Sequence, residues 1–436
     1  MKNKVAKRIL SAVLAGTMML SCLAGCGKSA DNGDASQETN TQTEAPADTT
    51  QQDDAQAEQP QENTGDVAAS TGKTIMWLSN LSSGIAYDCG VNYAEAICAE
   101  LGYEFKVVYG DMFNDPAGNL AAVKNEMSDD VVAIIASQDG GILNIMQEYP
   151  ELYVCGYNTD MRSVYAEDGP NKDCLSNEKF LGTIVDGHAD GSLTGKEQAA
   201  AVIEQGYKKV SLLMFPAYAY PNLTAAEAAF RAEIEAYNAT AADADKIEIV
   251  GDTKVLEFAP LEESYFLEPA HQDLDAIVGF CAGIMFVYPS MKAAIGAGTC
   301  SADTKLVTGG FDDDSSIIAD VGGDGVIQYI SFSPAEDMAF PIILIDNALN
   351  GTMYSDYPQG TAETQVDPIP YVIDSKEDID NVMTKSMAGT ADVSLAQLSI
   401  DEVKNLCTRF NPEATYADLV GTFTSEQISV EELKNR

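Results

Sequence analysis

The residues Val131-Val132-Ala133-Ile134-Ile135-Ala136 form an uninterrupted apolar run that passes directly into the polar loop Ser137-Gln138-Asp139. A short apolar run that ends in a Gly-containing polar loop predicts a β-strand. Similar runs surround it and alternate with helical patterns, which predict strands at 74–78, 104–109 and 153–157 and helices at 93–101 and 119–127. This alternation predicts a parallel sheet with right-handed crossovers.

The same alternation starts again in the second half of the chain. It predicts helices at 195–205, 225–237 and 291–297, and strands at 209–214, 246–250, 276–280 and 305–308. We therefore expect an α/β protein with two parallel-sheet lobes. The carboxyl ends of the strands in both lobes would face a common cleft, which is where open α/β sheets bind their ligands.

The N-terminal segment, residues 1–25, has the pattern of a bacterial signal peptide. It combines four basic residues with an apolar stretch at 9–20 that is too short to span a membrane stably. The following motif, Leu23-Ala24-Gly25-Cys26, resembles the lipobox of bacterial lipoproteins. That resemblance implies that Cys26 is diacylated and anchors the chain to the membrane. The alternative is an ordinary secretory signal, and both interpretations predict an extracytoplasmic protein.

Residues 26–72 are predicted to be a disordered acidic tether. This segment has scarcely any aliphatic residue and cannot bury enough apolar surface to offset the entropy of ordering. Its acidic side chains repel one another and extend it. We expect it to hold a globular module close to the membrane while leaving that module free to reorient.

Composition excludes several classes of partner. The formal net charge of −43 repels phosphate backbones, so we expect no nucleic acid partner. Of the nine cysteines, Cys22 lies in the leader and Cys26 is the predicted acylation site, and we interpret the other seven as buried thiols, with one or two disulfides left open. The only histidines are His188 and His271, and no CxxC or HExxH motif occurs. We therefore expect no metal site and no cofactor.

Several short motifs in a fixed order indicate the family. They are Leu101-Gly102-Tyr103, Asn114-Asp115-Pro116, the strand at 131–137, and Val307-Thr308-Gly309-Gly310-Phe311-Asp312 followed by Gly325-Val326-Ile327-Gln328-Tyr329-Ile330. Together they resemble the type 1 periplasmic binding proteins, most closely the ribose/galactose-type solute-binding components of ABC importers. The resemblance covers residues 73–375 and implies three crossings between the lobes. Lobe 1 would comprise 73–186 and 333–361, and lobe 2 would comprise 187–332 and 362–375.

The resemblance implies ligand contacts in the loops that follow the strands of lobe 1. Ser79 and Asn80 follow the first strand, where sugar-binding relatives place polar contacts, although both residue types also form turns. Ser137 and Gln138 begin a Gly-containing loop that either approaches a ligand or caps a helix. Two further positions are Asn158, in the place of a ligand-gripping Asp of the relatives, and Asp186, near the first crossing, whose alternative role is a hinge hydrogen bond.

In lobe 2 the pair Phe311-Asp312 resembles one that stacks on a sugar ring and accepts hydrogen bonds from its hydroxyls. The alternative is a core Phe beside a solvated acidic turn. The chain also departs from the sugar-binding pattern: Cys281 and Phe332 stand where an Asn and a Gln are expected, and the loop from Tyr218 to Asn222 lacks an Arg. A more aromatic pocket favours a solute with a flat or apolar portion, such as a nucleoside or an aryl glycoside.

Beyond residue 375 the resemblance fades, and residues 376–436 are predicted to form a helical extension. Ser375 with Asp378, Ser399 with Glu402 and Ser429 with Glu432 have capping-box spacing, and Asn411-Pro412 predicts a fourth helix start. We expect this extension to pack on a lobe. Its role is either a structural brace or a docking element for a partner.

These observations predict a monomeric, lipid-anchored, extracytoplasmic solute-binding protein of an ABC importer. Its partners would be a sugar or sugar-containing small molecule and a membrane permease that recognises the closed form. The alternatives are a nucleoside-binding member of the same superfamily, and a sensor lipoprotein that presents solute to a membrane receptor or kinase. An enzyme is disfavoured because the chain has no GxSxG, HExxH, P-loop or GxGxxG motif. We interpret His188 as structural rather than as an acid or base.

Overall fold

The structure is a computed structural model that describes residues 71–110, 114–186, 191–218 and 220–436. The predicted signal peptide, Cys26, the tether up to residue 70, and His188 lie outside the described residues. Thr71 belongs to the globular body, because its backbone N–H and its hydroxyl both donate to the carbonyl of Gly102 at 2.8 Å. The predicted boundary at residue 72 is therefore too late, and the fold begins by Thr71.

The described residues form two α/β lobes, each built on one sheet. The strands are β1 Thr74–Ser79, β2 Glu104–Tyr109, β3 Val131–Ala136, β4 Tyr153–Tyr157, β5 Phe180–Ile184, β6 Lys209–Met214, β7 Glu248–Ile249, β8 Lys254–Val255, β9 Ala276–Ala282, β10 Lys305–Gly309, β11 Ile327–Phe332, β12 Gln365–Val366 and β13 Tyr371–Ile373. The α-helices are α1 Ile85–Leu101, α2 Pro116–Glu126, α3 Ile142–Glu148, α4 Arg162–Tyr165, α5 Ser192–Glu204, α6 Asn222–Thr240, α7 Glu263–Leu267, α8 Gly283–Phe286, α9 Tyr288–Ala297, α10 Ser315–Ala319, α11 Ala339–Leu349, α12 Lys376–Lys385, α13 Ile400–Leu406, α14 Tyr416–Thr424 and α15 Val430–Asn435.

The sheet of lobe 1 is entirely parallel, with strand order β12-β5-β4-β3-β1-β2. All six residues of β1 are buried, because helices cover both faces of a parallel sheet. The sheet of lobe 2 has the order β13-β11-β10-β9-β6-β7, with β8 also paired to β6. Only β13 is antiparallel to its neighbour among these described strands. The predicted α/β class with two parallel-sheet lobes is confirmed.

The third crossing between the lobes lies later than predicted. The resemblance implies that residues 362–375 belong to lobe 2. Strand β12 lies in this range but pairs with β5 at Thr183 and Ile184, so it belongs to the sheet of lobe 1. The crossing therefore falls between Val366 and Tyr371. A two-residue strand has no apolar run to mark it, so the pattern of the sequence did not reveal this one.

The C-terminal extension contains four α-helices, α12 to α15, all within the described residues. Ser375, Ser399 and Ser429 cap three of them as predicted, each accepting a backbone N–H three residues on. The predicted start at Asn411-Pro412 is wrong. The remaining helix, α14, begins at Tyr416 after a capping box formed by Thr415 and Asp418. Asn411 instead forms a local turn by accepting the N–H of Glu413.

The extension packs against both lobes, close to their connections. On lobe 1 the Tyr93 hydroxyl of α1 donates to the carbonyl of Leu398 at 2.6 Å. On lobe 2 the Tyr371 hydroxyl of β13 donates to the Gln397 side chain. At the third crossing the Ile369 N–H donates to the carbonyl of Phe423 at 2.9 Å. These buried contacts confirm that the extension is packed rather than free, and they favour a brace.

The seven cysteines from Cys89 to Cys407 are all buried and unpaired. Burial raises the pKa of the Cys89 thiol to about 12 and that of Cys281 to about 12. They therefore act as small apolar side chains, and no disulfide forms among the described residues. None of the helices in this part of the chain has the length and apolar content needed to cross a bilayer.

Candidate functional site: the crevice between the lobes

A crevice of about 460 Å³ opens between the lobes at the carboxyl ends of their strands. From lobe 1 it is lined by Asn80 after β1, Gln138 after β3 and Asn158 after β4. From lobe 2 it is lined by Tyr218 and Asn222, which come between β6 and the first turn of α6. Parallel strands end at the same edge of a sheet, so residues far apart in the sequence meet here.

A second, smaller cavity of about 50 Å³ adjoins the crevice and shares Asn80, Ser137 and Asn158 with it. Its aromatic wall includes Phe311 and Phe332 from lobe 2, whose rings stack with centroids 4.6 Å apart and an interplanar angle of 15°. This stack is a flat apolar surface beside the polar loops of lobe 1. It supplies the kind of face against which a sugar ring or a nucleobase packs.

Two side-chain amides in the wall each have an oxygen atom without a hydrogen-bond partner. Gln138 Oε1 and Asn158 Oδ1 are both inaccessible to water and accept no hydrogen bond from the protein. A buried acceptor without a donor is unfavourable by about 1 to 3 kcal/mol. Asn158 is also held with φ of 53°, in the left-handed region that non-glycine residues seldom adopt. Both features are those of a site that is completed by hydroxyl or amine donors from a ligand.

A polar framework beneath the crevice fixes these loops. The Asp139 carboxylate accepts from Asn114 Nδ2 at 2.9 Å and from the Ser163 N–H at 2.7 Å. The Trp77 indole donates to Ser137 Oγ at 2.8 Å, which joins the core of lobe 1 to the same loop. Because both oxygens of Asp139 are occupied, this residue orients the loops rather than offering itself to a solute.

Asp186 lies where the first crossing reaches the crevice. Its Oδ1 accepts from the hydroxyl of Ser333, on the second crossing, at 2.8 Å, and its side chain lines the cavity. The surrounding protein raises the pKa of this carboxyl by desolvation, an effect that the Ser333 hydrogen bond partly opposes. The two predicted roles of Asp186, a crevice residue and a hinge hydrogen bond, are thus compatible.

Lobe 2 contributes an aromatic wall. Phe215 packs against Tyr220 and Phe258 with ring centroids 5.4 Å and 5.1 Å away, and against Phe286 at 5.1 Å. Tyr218 extends this group at the rim, with 76% of its surface exposed. Phe258 has φ of 55°, again the left-handed region. One side of the crevice is therefore rich in amides and carboxylates, and the other is rich in aromatic rings.

Three of the predicted ligand contacts line neither of the two cavities. Ser79 is 1% exposed, and its hydroxyl bonds the backbone of Leu81, which is the turn-forming role. Cys281 is buried at the end of β9. The side chain of Asp312 accepts the backbone N–H of Asp314, which agrees with the alternative interpretation of an acidic turn. The direction of a side chain just past a strand depends on the turn, and the apolar pattern does not determine it.

The crevice also contains residues that the sequence analysis did not propose, namely Asn114, Thr159, Asp160, Arg162, Tyr220 and Phe258. Two of them had a visible signal, because Asn114 opens a turn motif and Asp160 follows Asn158 by two positions. Phe258 had none, because it follows the two-residue strand β8.

Two α/β sheets of this order, joined by three crossings and open at their carboxyl edges, define the type 1 periplasmic binding protein fold of ABC-transporter solute-binding proteins. No protein-family model and no curated protein matches the sequence. Solved structures do match it. An ABC-transporter solute-binding protein of Agrobacterium vitis, bound with α-D-tagatopyranose, has a TM-score of 0.52 at 17% identity and covers 72% of this chain and 96% of its own.

Another match is an ABC-transporter solute-binding protein of Burkholderia graminis in complex with D-arabinose. It has a TM-score of 0.51 at 15% identity, over 72% of this chain and 98% of its own. A twin-arginine translocation pathway signal protein of Burkholderia phytofirmans reaches a TM-score of 0.54 at 11% identity, over 73% and 94%. At these identities the likeness shows the fold. The first two of these neighbours are transport solute-binding proteins rather than enzymes.

Proposed function

We propose that this chain is an extracytoplasmic solute-binding protein of an ABC importer that takes a sugar or a sugar-containing molecule in the crevice. The observation that carries the proposal is the pair of unpartnered buried acceptors, Gln138 Oε1 and Asn158 Oδ1, in the wall of a cavity that adjoins the Phe311–Phe332 stack. A sugar has hydroxyl donors at its edge and an apolar C–H face, and it matches both surfaces.

A crevice between two lobes also provides a way for a membrane permease to detect solute binding. A solute that contacts both lobes stabilises the closed arrangement relative to the open one, since only the closed form makes both sets of contacts. A membrane permease that recognises the closed form then binds only protein that carries a solute. The hydrogen bond between Asp186 and Ser333 joins two of the three crossings, where a rotation of the lobes would be centred.

A nucleoside is the second candidate. The aromatic wall of lobe 2 and the Phe311–Phe332 stack offer more flat apolar surface than a free pentose covers. A nucleobase would stack there, while its ribose would meet the amides of lobe 1.

The experiment is a thermal-shift screen of the chain from Gly27, without the predicted leader and Cys26, with pentoses, hexoses, nucleosides and amino acids. A solute that binds only the folded state, present at 100 times its Kd, stabilises by about 2.7 kcal/mol. We expect a member of the sugar or nucleoside set to raise the melting temperature and to be recovered chemically unchanged. Chemical turnover of the solute, or stabilisation by amino acids alone, would contradict the proposal.

Replacing Phe311 by Ala is expected to weaken solute binding about tenfold to a hundredfold, because the stacked apolar face at the cavity is lost. The matched control is Asp312→Ala. This neighbouring side chain bonds its own turn and lines neither cavity, so affinity should stay within about twofold. Titration calorimetry with the solute found in the screen measures both. If the two variants lose the same amount of solute affinity, the solute does not pack against the Phe311 ring.

The lipobox-like motif supports a lipid anchor at Cys26. Cys26→Ala is expected to abolish incorporation of labelled palmitate in vivo, because the thiol is the acceptor of the diacylglyceryl group. Cys22→Ala provides the control, since this residue belongs to the predicted leader and its loss should leave labelling intact. Continued labelling of Cys26→Ala would remove the anchor from the account.

A further inference from the structure

The crevice carries more negative than positive charge. Among its described lining residues four are acidic, Asp139, Asp160, Asp168 and Asp186, and Arg162 is the one cation. A concave site walled by protein concentrates the field of the charges that line it. An anionic solute, such as a uronate or a sugar phosphate, would meet net repulsion there. A neutral or cationic solute would not.

The four acids are not equivalent. Asp139 uses both oxygens to hold Asn114 and Ser163, and Asp168 lies in the loop after α4, away from the crossings between the lobes. Asp160 accepts the Arg162 N–H at 3.0 Å through one oxygen and has its side chain half-buried. Two carboxylates, Asp160 and Asp186, therefore face the cavity with acceptor capacity to spare.

Asp186 has no positively charged neighbour within ion-pair distance among the described residues. In the described part of the chain it accepts a hydrogen bond from the neutral hydroxyl of Ser333. Asp160 and Asp186 line the same cavity. Desolvation raises the pKa of both carboxyls, and at Asp160 the charge of Asp186 adds to the rise while Arg162 opposes it. A carboxylate pair of this kind is stabilised by a cation placed between its members.

An aromatic ring completes the arrangement. Tyr220 lines the same cavity from lobe 2, and the Asp186 charge contributes to raising its pKa, after burial itself. Carboxylates and an aromatic ring that line one cavity can together bind an ammonium group, by charge attraction and by cation–π attraction. Arg162 carries one positive charge against four carboxylates in the described lining, so the net charge of this lining stays negative.

We infer that the solute carries a protonated amine, held by Asp186 and Asp160 against the Tyr220 ring, and that it belongs to the amino sugars. This inference rests on the proposed function. The hydroxyls of such a solute would satisfy Gln138 Oε1 and Asn158 Oδ1. Its ammonium group would offset the excess of negative charge among the described lining residues.

The test compares matched pairs that differ only in an amine and a hydroxyl: glucosamine with glucose, galactosamine with galactose, and mannosamine with mannose. N-acetylglucosamine removes the charge and keeps the nitrogen, and glucuronate reverses the charge. Affinities of the chain from Gly27 are measured by calorimetry at about 50 mM and about 500 mM NaCl, since screening weakens exposed charge attraction.

We expect the amine to bind at least tenfold tighter than the hydroxyl in one or more pairs. Asp186→Asn should remove most of that preference while retaining the acceptor for Ser333, and its melting temperature without solute verifies folding. Asp168→Asn, the same change of charge at another lining residue, should retain the preference. The inference is overturned if neutral sugars bind and no amine binds tighter than its partner, or if Asp186→Asn leaves the preference unchanged. Failure of every sugar and nucleoside to bind would instead contradict the proposed function itself.

Discussion

Arg409→Met is expected to lower the free energy of unfolding by about 3 to 5 kcal/mol, because it leaves a buried carboxylate without its counter-ion. The side chain of Asp346, on α11 of lobe 1, is 0% exposed. Arg409, on the extension, reaches it with Nη2 at 2.8 Å from Oδ1 and Nε at 3.0 Å from Oδ2. The Tyr103 hydroxyl also donates to Asp346, at 2.9 Å. Urea unfolding followed by circular dichroism measures the change.

Two further variants separate this effect from a general loss of surface charge. The double variant Arg409→Met with Asp346→Asn should recover part of the loss, since no buried charge is then uncompensated. Lys246→Met removes an exposed ion pair with Asp243 and should change stability by about 0 to 1 kcal/mol. If Arg409→Met is as mild as Lys246→Met, the extension is not fixed to lobe 1 through Asp346.

Gly195→Ala is expected to destabilise lobe 2 by about 3 kcal/mol, because a methyl group has no room there. Gly195 lies in α5 where this helix crosses α6, and a Cβ at that position would be 2.0 Å from the carbonyl oxygen of Ala226. That contact is with backbone, so no side-chain rotation relieves it, and the two helices must separate. Thermal unfolding with a probe in lobe 2 measures the loss.

The matched control is Gly296→Ala in α9, another helical glycine, whose added Cβ would meet nothing within 4 Å. There the higher helix propensity of alanine should raise stability by about 0.5 to 1 kcal/mol. Changes of the same sign and size at the two positions would show that α5 and α6 are not packed as closely as described.

The longest apolar runs predicted their elements to the residue. Strands β3, β4 and β6 have the predicted bounds, because four or more consecutive buried residues leave a pattern that turns interrupt sharply. Strand β2 also has the predicted bounds, although Val108 is its one buried residue. The strand predicted at 246–250 is reduced to β7, Glu248–Ile249. The reason is a side chain: Asn238 bonds both the N–H and the carbonyl of Ile247 at 2.8 Å. No local pattern encodes a contact nine positions away.

The helix α1 illustrates a second limit. The prediction began it at residue 93, but it begins at Ile85. Gly90 weakens the helical pattern in its first turns. In the structure this glycine lies against the Trp77 ring, where a Cβ would be 3.4 Å from the ring carbon Cη2. A tertiary contact therefore decides the conformation of a segment whose own propensity is poor.

For the site, the sequence predicted loops better than side-chain directions. Asn80, Gln138, Asn158, Phe311 and Phe332 follow or end strands and line the crevice or its side cavity, because periodicity determines where a strand ends. Ser79, Cys281 and Asp312 are also near strand ends, yet they point into turns or core. Only the turn geometry distinguishes the two groups. The aromatic wall around Phe258 depends on β8, which is too short to predict.

The central claim is that the two lobes close on one solute held in the crevice. Its most direct measurement is the distance between spin labels at Tyr109→Cys, at the carboxyl end of β2 in lobe 1, and Met285→Cys, just after β9 in lobe 2. These positions are 50% and 63% exposed, whereas the seven native thiols from Cys89 to Cys407 are buried and react poorly. We expect the stabilising solute to shorten the distance between the two spin labels by several ångströms. An unchanged distance at saturation, with binding verified by calorimetry, would contradict it.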